Sequence, residues 1–202
     1  MLGAMAPPAF LFAPGAGASS SSPFMRAWQT RLESLGQVLT LDYPYRLAGR
    51  ARPDPLPVLV AAHREALSEL RAAHPGPAIL IGKSMGSRVG CHLALEAEVT
   101  ALVCLGYPLR GASKKAPLRD EVLLALKTPI LFVQGTRDAL CPLDELRDVM
   151  MRMVAPHRLH VVEGGDHSLA VTKTALKAGG ETQADVDGAI LAAIAEFLAV
   201  TG

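Results

Sequence analysis

Short apolar runs alternate with longer segments of helical spacing along almost the whole chain, and this alternation limits the possible folds more than any other feature. The runs cover residues 10–13, 38–41, 78–81, 101–105, 129–134 and 157–163. Short apolar runs bounded by Gly and Pro are typical of buried strands. Strands alternating with helices are joined by right-handed crossovers and form a parallel sheet with helices on both faces. The pattern therefore predicts an α/β sandwich of about six strands, mostly parallel, as one domain over residues 1–202.

The segments between the runs supply the helices of this sandwich. Pro23 stands at a first helical position and Gly36 at a helix end. The stretch from Asp42 to Pro57 is rich in Pro and Arg, which predicts a loop. Helices are predicted over residues 24–35, 58–73, 87–97, 119–126, 142–153 and 185–200.

Composition excludes several classes of protein. Lys and Arg number 20 against 19 Asp and Glu, so no basic field attracts nucleic acid. No run reaches the length of a membrane-spanning helix. Residues 1–18 are apolar, but no basic residue precedes Arg26 and prolines interrupt the run, so we expect no signal peptide and a cytoplasmic location. The three cysteines show no metal-like spacing, so they predict no metal site; no cofactor is expected either, because the serine chemistry considered below requires none.

Gly82-Lys83-Ser84-Met85-Gly86 matches the pattern G-x-S-x-G between a predicted strand and a predicted helix. This sharp turn projects the serine hydroxyl above the sheet edge, and side chains at Gly82 and Gly86 would collide with neighbouring backbone. The Met85 amide would stand at the helix N-terminus, where developing negative charge is favoured. Ser84 is therefore the candidate nucleophile, and a tight structural turn is the alternative.

A serine nucleophile needs a base, and the base needs a carboxylate that orients it. Asp138 follows the fifth predicted strand and His167 lies on a Gly-rich loop after the sixth, in the order Ser, Asp, His. The alternatives are that Asp138 forms a helix N-cap or an Asx-turn and that His167 is a surface loop residue. Asp166 and Asp42 are rival acids, but a neighbour of His167 usually points away from it.

The oxyanion hole also needs a second amide, from the loop after the first strand. Residues 14–18 occupy that place and are small, and we select Ala16 as the donor and Gly15 as a substrate contact. Tyr43, Tyr45 and Tyr107 follow strands and are expected to border a shallow cleft, which favours short or soluble acyl groups.

Other chemistries fit these residues less well. A P-loop ending at Lys83-Ser84 requires glycine at position 77, which is proline. A dinucleotide fingerprint beginning at Gly15 would need glycine at position 20, which is serine. Cys141 lies near Asp138, but no separate base for a thiol is indicated.

The chain as a whole resembles an α/β-hydrolase-like family of small predicted hydrolases. That family includes the testis-expressed hydrolase-like protein and the hydrolase-like domain of subunit three of the nonspecific-lethal histone acetyltransferase complex. The matching segments are residues 13–18, 23–25, 42–45, 82–88, 104–109, 135–138 and 165–169. One departure is Pro14-Gly15 where many α/β-hydrolases have His-Gly. The resemblance implies an α/β-hydrolase core with Ser84, Asp138 and His167 as the triad. Because the first predicted strand corresponds to what is usually the third strand of that fold, and no long insertion separates the fourth and fifth strands, we expect neither the leading antiparallel pair nor a large lid.

These observations predict a metal-free serine hydrolase that cleaves small acyl esters or thioesters, a small-molecule substrate, through an acyl-enzyme. The alternative is a catalytically silent protein-interaction module that keeps the same fold, for which a protein partner is expected. Since fold does not fix function, the sequence leaves both open.

Overall fold

The computed structural model describes residues 7–111 and 117–201, and its centre is a six-stranded parallel sheet. The start of the apolar N-terminal segment lies outside the described residues. The strands stand in the order β2-β1-β3-β4-β5-β6, with every neighbouring pair parallel. Their bounds are β1 Ala9–Ala13, β2 Gln37–Thr40, β3 Ala78–Lys83, β4 Ala101–Leu105, β5 Ile130–Gly135 and β6 His157–Val162. The predicted α/β class and strand number are confirmed.

Helices connect successive strands, as crossovers between parallel strands require. Their bounds are α1 Pro23–Leu32, α2 Pro44–Leu47, α3 Leu56–Ala73, α4 Met85–Leu93, α5 Glu121–Ala125, α6 Leu143–Met150, α7 Lys173–Gly179 and α8 Gln183–Ala199. Ser22 caps α1 by accepting from the Met25 amide, and Thr182 and Asp185 form a capping box at α8. Two short helices, α2 and α7, were not predicted.

Side chains of the central strands alternate between two hydrophobic cores, one on each face of the sheet. Along β1, Leu11 faces the core packed against α3, α4, α5 and α6, whereas Phe10 and Phe12 face the core packed against α1 and α8. All five residues of β1 are buried, as expected for a strand covered on both faces. Because all the strands are parallel, the carboxyl ends of β1, β3, β5 and β6 lie at the same end of the sheet.

The connection between β4 and β5 holds a single short helix, α5, within the described ranges. No large lid or leading antiparallel strand is present in residues 7–111 and 117–201, as predicted. Over the same residues, no helix combines the length and the apolar character that crossing a bilayer requires.

Candidate active site

Ser84 occupies the turn between β3 and α4, with the backbone in a conformation that L residues rarely adopt, φ 51° and ψ −114°. A methyl group at Gly86 would lie 2.8 Å from the Pro14 carbonyl oxygen, and one at Gly82 would lie 2.7 Å from the Gly86 carbonyl oxygen. Only glycine at both positions lets the strand, the turn and the helix pack this closely. The sequence motif thus has the tight geometry of a nucleophile elbow.

A line of hydrogen bonds runs from the Ser84 hydroxyl to a buried carboxylate. Ser84 Oγ lies 2.8 Å from His167 Nε2, and His167 Nδ1 lies 2.7 Å from Asp138 Oδ2. With Nδ1 protonated, Nε2 is free to accept the hydroxyl proton. The three side chains come from the turns after β3, β5 and β6, so the sheet itself brings together residues far apart in the chain.

Asp138 is held from two further directions. Gln134 Nε2 donates to its Oδ2 at 2.5 Å, and the Leu140 amide donates to its Oδ1 at 2.8 Å. Burial alone would raise the pKa of the carboxyl, but the hydrogen bond and charge of His167, with the two other donors, outweigh it and lower the pKa. The sequence analysis did not single out Gln134. A polar residue near the end of an otherwise apolar strand is the feature of the sequence that indicates such a contact.

Lys83 is a second residue whose position was not predicted. Its side chain is buried, its ammonium donates to the His167 carbonyl oxygen, and it lies 5.7 Å from the centre of the Phe24 ring. Burial lowers the pKa of this ammonium to about 8, while the charges of Asp138 and Asp166 act in the opposite direction. The lysine next to the serine therefore connects β3 to the histidine loop.

The loop after β1 stands beside Ser84, and residues near β2 hold it there. A methyl group at Gly15 would lie 3.5 Å from Ser84 Cβ. The Gly17 amide donates to the Tyr45 hydroxyl at 3.2 Å, and Ser20 donates to Asp42 through its amide at 2.7 Å and its hydroxyl at 2.6 Å. These contacts anchor the loop that begins at Pro14.

An open cleft of about 490 Å³ lies over the serine and the histidine. Its lining combines small and apolar residues with three serines, Lys83 and His167. The lining residues are Gly15, Ala16, Ala18, Ser22, Pro23, Phe24, Met25, Lys83, Ser84, Leu140, His167 and Ser168. Met85 begins α4, so its amide belongs to the first turn, where amides have no acceptor within the helix.

The prediction that three tyrosines border the cleft is wrong. Tyr43, Tyr45 and Tyr107 are fully buried, and none of them lines the cleft. The Tyr107 ring packs edge-on against Phe132 at 6.0 Å and its hydroxyl donates to the Arg119 carbonyl oxygen, so the side chain turns into the core. Residues after strand ends reach the sheet edge, but the large apolar area of a tyrosine ring favours burial.

The remaining candidates have structural contacts. Asp166 Oδ1 accepts from the Ser168 amide at 2.7 Å and the Ala170 amide at 3.0 Å, which stabilises the histidine loop. Asp42 binds Ser20, as described above. The Cys141 thiol is buried, and burial raises its pKa, which disfavours the nucleophilic thiolate.

Comparison with known families gives one match over nearly the whole chain. The sequence model of the family described as "Alpha/beta hydrolase domain" matches residues 6–199.

Three solved structures illustrate the likeness in fold, and two of them are described as a serine hydrolase or a serine hydrolase homologue. An alpha-beta serine hydrolase homologue from Coxiella burnetii shares 16% identity, with 82% of this chain and 79% of that chain covered and a TM-score of 0.67. XC6422 from Xanthomonas campestris, described as an a/b serine hydrolase without lid, shares 18% identity over 82% and 75% of the two chains, with a TM-score of 0.66. Est1E from Butyrivibrio proteoclasticus shares 14% identity over 98% and 90%, with a TM-score of 0.68. At these identities the likeness shows the fold alone.

Proposed function

The chain belongs to the alpha/beta hydrolase domain family, and on that premise we propose that it is a serine hydrolase acting on ester or thioester bonds. The observation that carries the proposal is the continuous hydrogen-bond line from Ser84 Oγ through both nitrogens of His167 to Asp138. Nucleophile, base and orienting carboxylate then stand in the relation that nucleophilic catalysis requires.

In the proposed reaction, Ser84 Oγ attacks the substrate carbonyl while His167 Nε2 takes the hydroxyl proton. Asp138 holds the Nδ1–H tautomer and stabilises the imidazolium. The tetrahedral oxyanion receives hydrogen bonds from the amides of Met85 and Ala16. Collapse of this intermediate breaks the bond to the alkoxide or thiolate, which leaves with the proton from His167. Water then attacks the acyl-enzyme by the same route, regenerating the serine and releasing the acid.

The proposed substrates are small acyl esters or thioesters. Support comes from the open cleft, whose lining includes the small residues Gly15, Ala16 and Ala18 together with Ser84, and from the absence of a large lid over the described residues. Phe24 and Leu140 supply a limited apolar wall for a short acyl chain. No metal or cofactor enters the proposed chemistry.

A fluorophosphonate probe tests the proposal directly, because it reacts covalently only with an activated serine. We expect the native protein to be labelled, Ser84→Ala to remove labelling, and His167→Ala to suppress it strongly. Ser168→Ala is a matched control, since Ser168 lines the same cleft without a bond to the imidazole. A panel of 4-nitrophenyl esters then gives chain-length preference, with acetate expected to turn over faster than dodecanoate.

An unlabelled native protein would instead favour the silent interaction module, the role that the resemblance to the histone acetyltransferase subunit suggests. In that case we expect Ser84→Ala to behave as the native protein does, because the hydroxyl would have no catalytic role.

A further inference from the structure

Lys83 brings a positive charge to a face of β3 that is otherwise apolar. Ile79 and Ile81 precede it by four and two residues and belong to the core covered by α1 and α8, and residues two apart share a face of a strand. Lys83 is only 8% exposed. Burial of an ammonium group is costly unless other groups compensate it, so the contacts of this side chain indicate why a lysine occupies the position.

The ammonium of Lys83 is bonded to the main chain of the proposed base. Within the described residues it donates to the His167 carbonyl oxygen and forms no ion pair. Gly106, in the turn after β4, leaves the space for this bond. A methyl group there would lie 3.1 Å from Lys83 Nζ and 2.7 Å from the His167 carbonyl oxygen. The bond therefore depends on a glycine of a third segment as well as on its two partners.

Lys83 and Ser84 hold His167 at two points. The two residues are neighbours in the chain; the first bonds the carbonyl oxygen of His167, and the hydroxyl of the second lies 2.8 Å from its Nε2. Because both attachments come from the end of one strand, they fix the imidazole relative to the nucleophile. Positioning of this kind matters for rate, since a displacement of about 1 Å can cost about a hundredfold.

We propose that Lys83 is a positioning residue for hydrolysis, which in its protonated form holds His167 in place beside Ser84. This inference rests on the serine hydrolase function proposed above. A hydrogen bond from an ammonium is about twice as strong as one from a neutral amine. Loss of the proton therefore keeps a donor at the same place but weakens its hold on the carbonyl oxygen.

The groups around Lys83 set the pH at which this hold weakens. Burial lowers the pKa of the ammonium to about 8, whereas the charges of Asp138, after β5, and Asp166, on the histidine loop, raise it. The phenyl ring that α1 contributes and the glycine after β4 are uncharged. The His167 imidazole is a further titratable group at this point, and its Nδ1 is bonded to Asp138. Activity is therefore expected to decline as the pH rises through about 8.

The pH dependence of 4-nitrophenyl acetate hydrolysis, corrected for spontaneous hydrolysis, tests the proposal. For the native protein we expect kcat to fall between pH 7 and pH 9.5, with a midpoint near 8 and little change in KM. Lys83→Met has a similar length without the charge, so its kcat at pH 7 should be about tenfold lower and should not decline over this range.

Two further variants sharpen the result. Lys83→Arg keeps the charge beyond pH 9.5 and should restore most of the native kcat at pH 7 without the decline. Lys127→Met, at an exposed lysine after α5, is the matched control and should follow the native profile. Unfolding does not explain a decline caused by Lys83. The unfolded lysine keeps its proton up to its ordinary pKa of 10.5, so this group makes the free energy of unfolding rise above pH 8.

Hydrogen–deuterium exchange, measured by mass spectrometry at pH 7, tests the attachment without turnover. The amides of residues 164–171 should exchange several-fold faster in Lys83→Met than in the native protein, and equal exchange overturns the attachment. A native protein that neither hydrolyses the ester nor reacts with the fluorophosphonate overturns the proposed function, and the positioning role with it. An active native protein whose kcat stays constant from pH 7 to pH 9.5 overturns the role of Lys83 alone. The same conclusion follows if Lys83→Met, shown to be folded by circular dichroism, or Lys83→Arg keeps the native decline.

Discussion

Ser84 illustrates what single residues contribute to this fold and what they cost. A non-glycine residue at φ 51° and ψ −114° carries about 1–3 kcal/mol of backbone strain, which the packing of Gly82 and Gly86 maintains. The sequence predicted this turn because the glycine spacing identifies it. Gln134 and Lys83 were not predicted, because their contacts with Asp138 and His167 join turns that only the folded sheet brings together.

Replacing Ser84 with glycine separates the strain from the chemistry. Both Ser84→Gly and Ser84→Ala remove the hydroxyl, so neither should react with the probe. Glycine adopts the positive φ without penalty, and after its greater entropy in the unfolded chain is deducted we expect Ser84→Gly to be about 1 kcal/mol more stable than Ser84→Ala. Urea unfolding of the two variants measures the difference. Equal stabilities would mean that the turn is not strained.

At the scale of elements, the signals that predicted the helices also explain the two that were missed. The predicted helices have an apolar face, whereas α7 has no buried residue among those described and so leaves no apolar spacing in the sequence. The other, α2, is a single turn within a Pro- and Arg-rich stretch that reads as loop. That turn nevertheless matters, because it carries Tyr45 beneath the loop after β1.

Tyr45→Phe tests whether this contact positions the loop. The variant keeps the ring and removes only the hydroxyl that accepts from the Gly17 amide, one residue beyond the proposed oxyanion donor Ala16. We expect kcat on 4-nitrophenyl acetate to fall about tenfold with little change in KM, since a displaced donor weakens transition-state stabilisation.

Tyr43→Phe is the matched control for that measurement. Tyr43 is equally buried, and its ring stacks on that of Tyr45 with the ring centres 6.3 Å apart. Its hydroxyl, however, has no hydrogen-bond partner among the described residues. It should leave kcat unchanged. If both variants lose activity to the same extent, general loosening of the core explains the effect, and positioning by Tyr45 does not.

For the whole molecule, hydrophobic patterning was sufficient to predict the class, the strand number and the two covered faces. It failed for the tyrosines after β2 and β4, because position in the chain places a residue at the sheet edge but does not determine which way its ring turns. Tyr43 and His63 meet edge-on at 6.3 Å within the core beside α3 and α4. His63 is fully buried there, and neither ring nitrogen has a partner in the described part of the chain.

This buried histidine makes global stability depend on pH. Burial lowers the pKa of His63 from 6.5 to about 4 in the folded protein. The unfolded chain therefore binds the proton more tightly, and the free energy of unfolding decreases as the pH falls from 6.5 to about 4, by about 3 kcal/mol for this group.

Urea unfolding across that range, for the native protein and His63→Leu, isolates the contribution, because losses from protonation of carboxylates are common to both. The native protein should lose about 3 kcal/mol more than His63→Leu. His160→Gln, at a partly exposed histidine on β6, is expected to behave much like the native protein. Parallel pH profiles for native protein and His63→Leu would contradict the assignment.

The chain has one tryptophan, Trp28, and its position on α1 gives the molecule a built-in optical reporter. The indole is buried in the core between α1 and the sheet, and its ring centre lies 6.2 Å from that of Phe24, whose side chain forms part of the cleft wall. Because the chain has no second indole, tryptophan fluorescence of the unlabelled protein comes from Trp28 alone. Only the Phe24 ring separates this indole from a molecule that binds over Ser84.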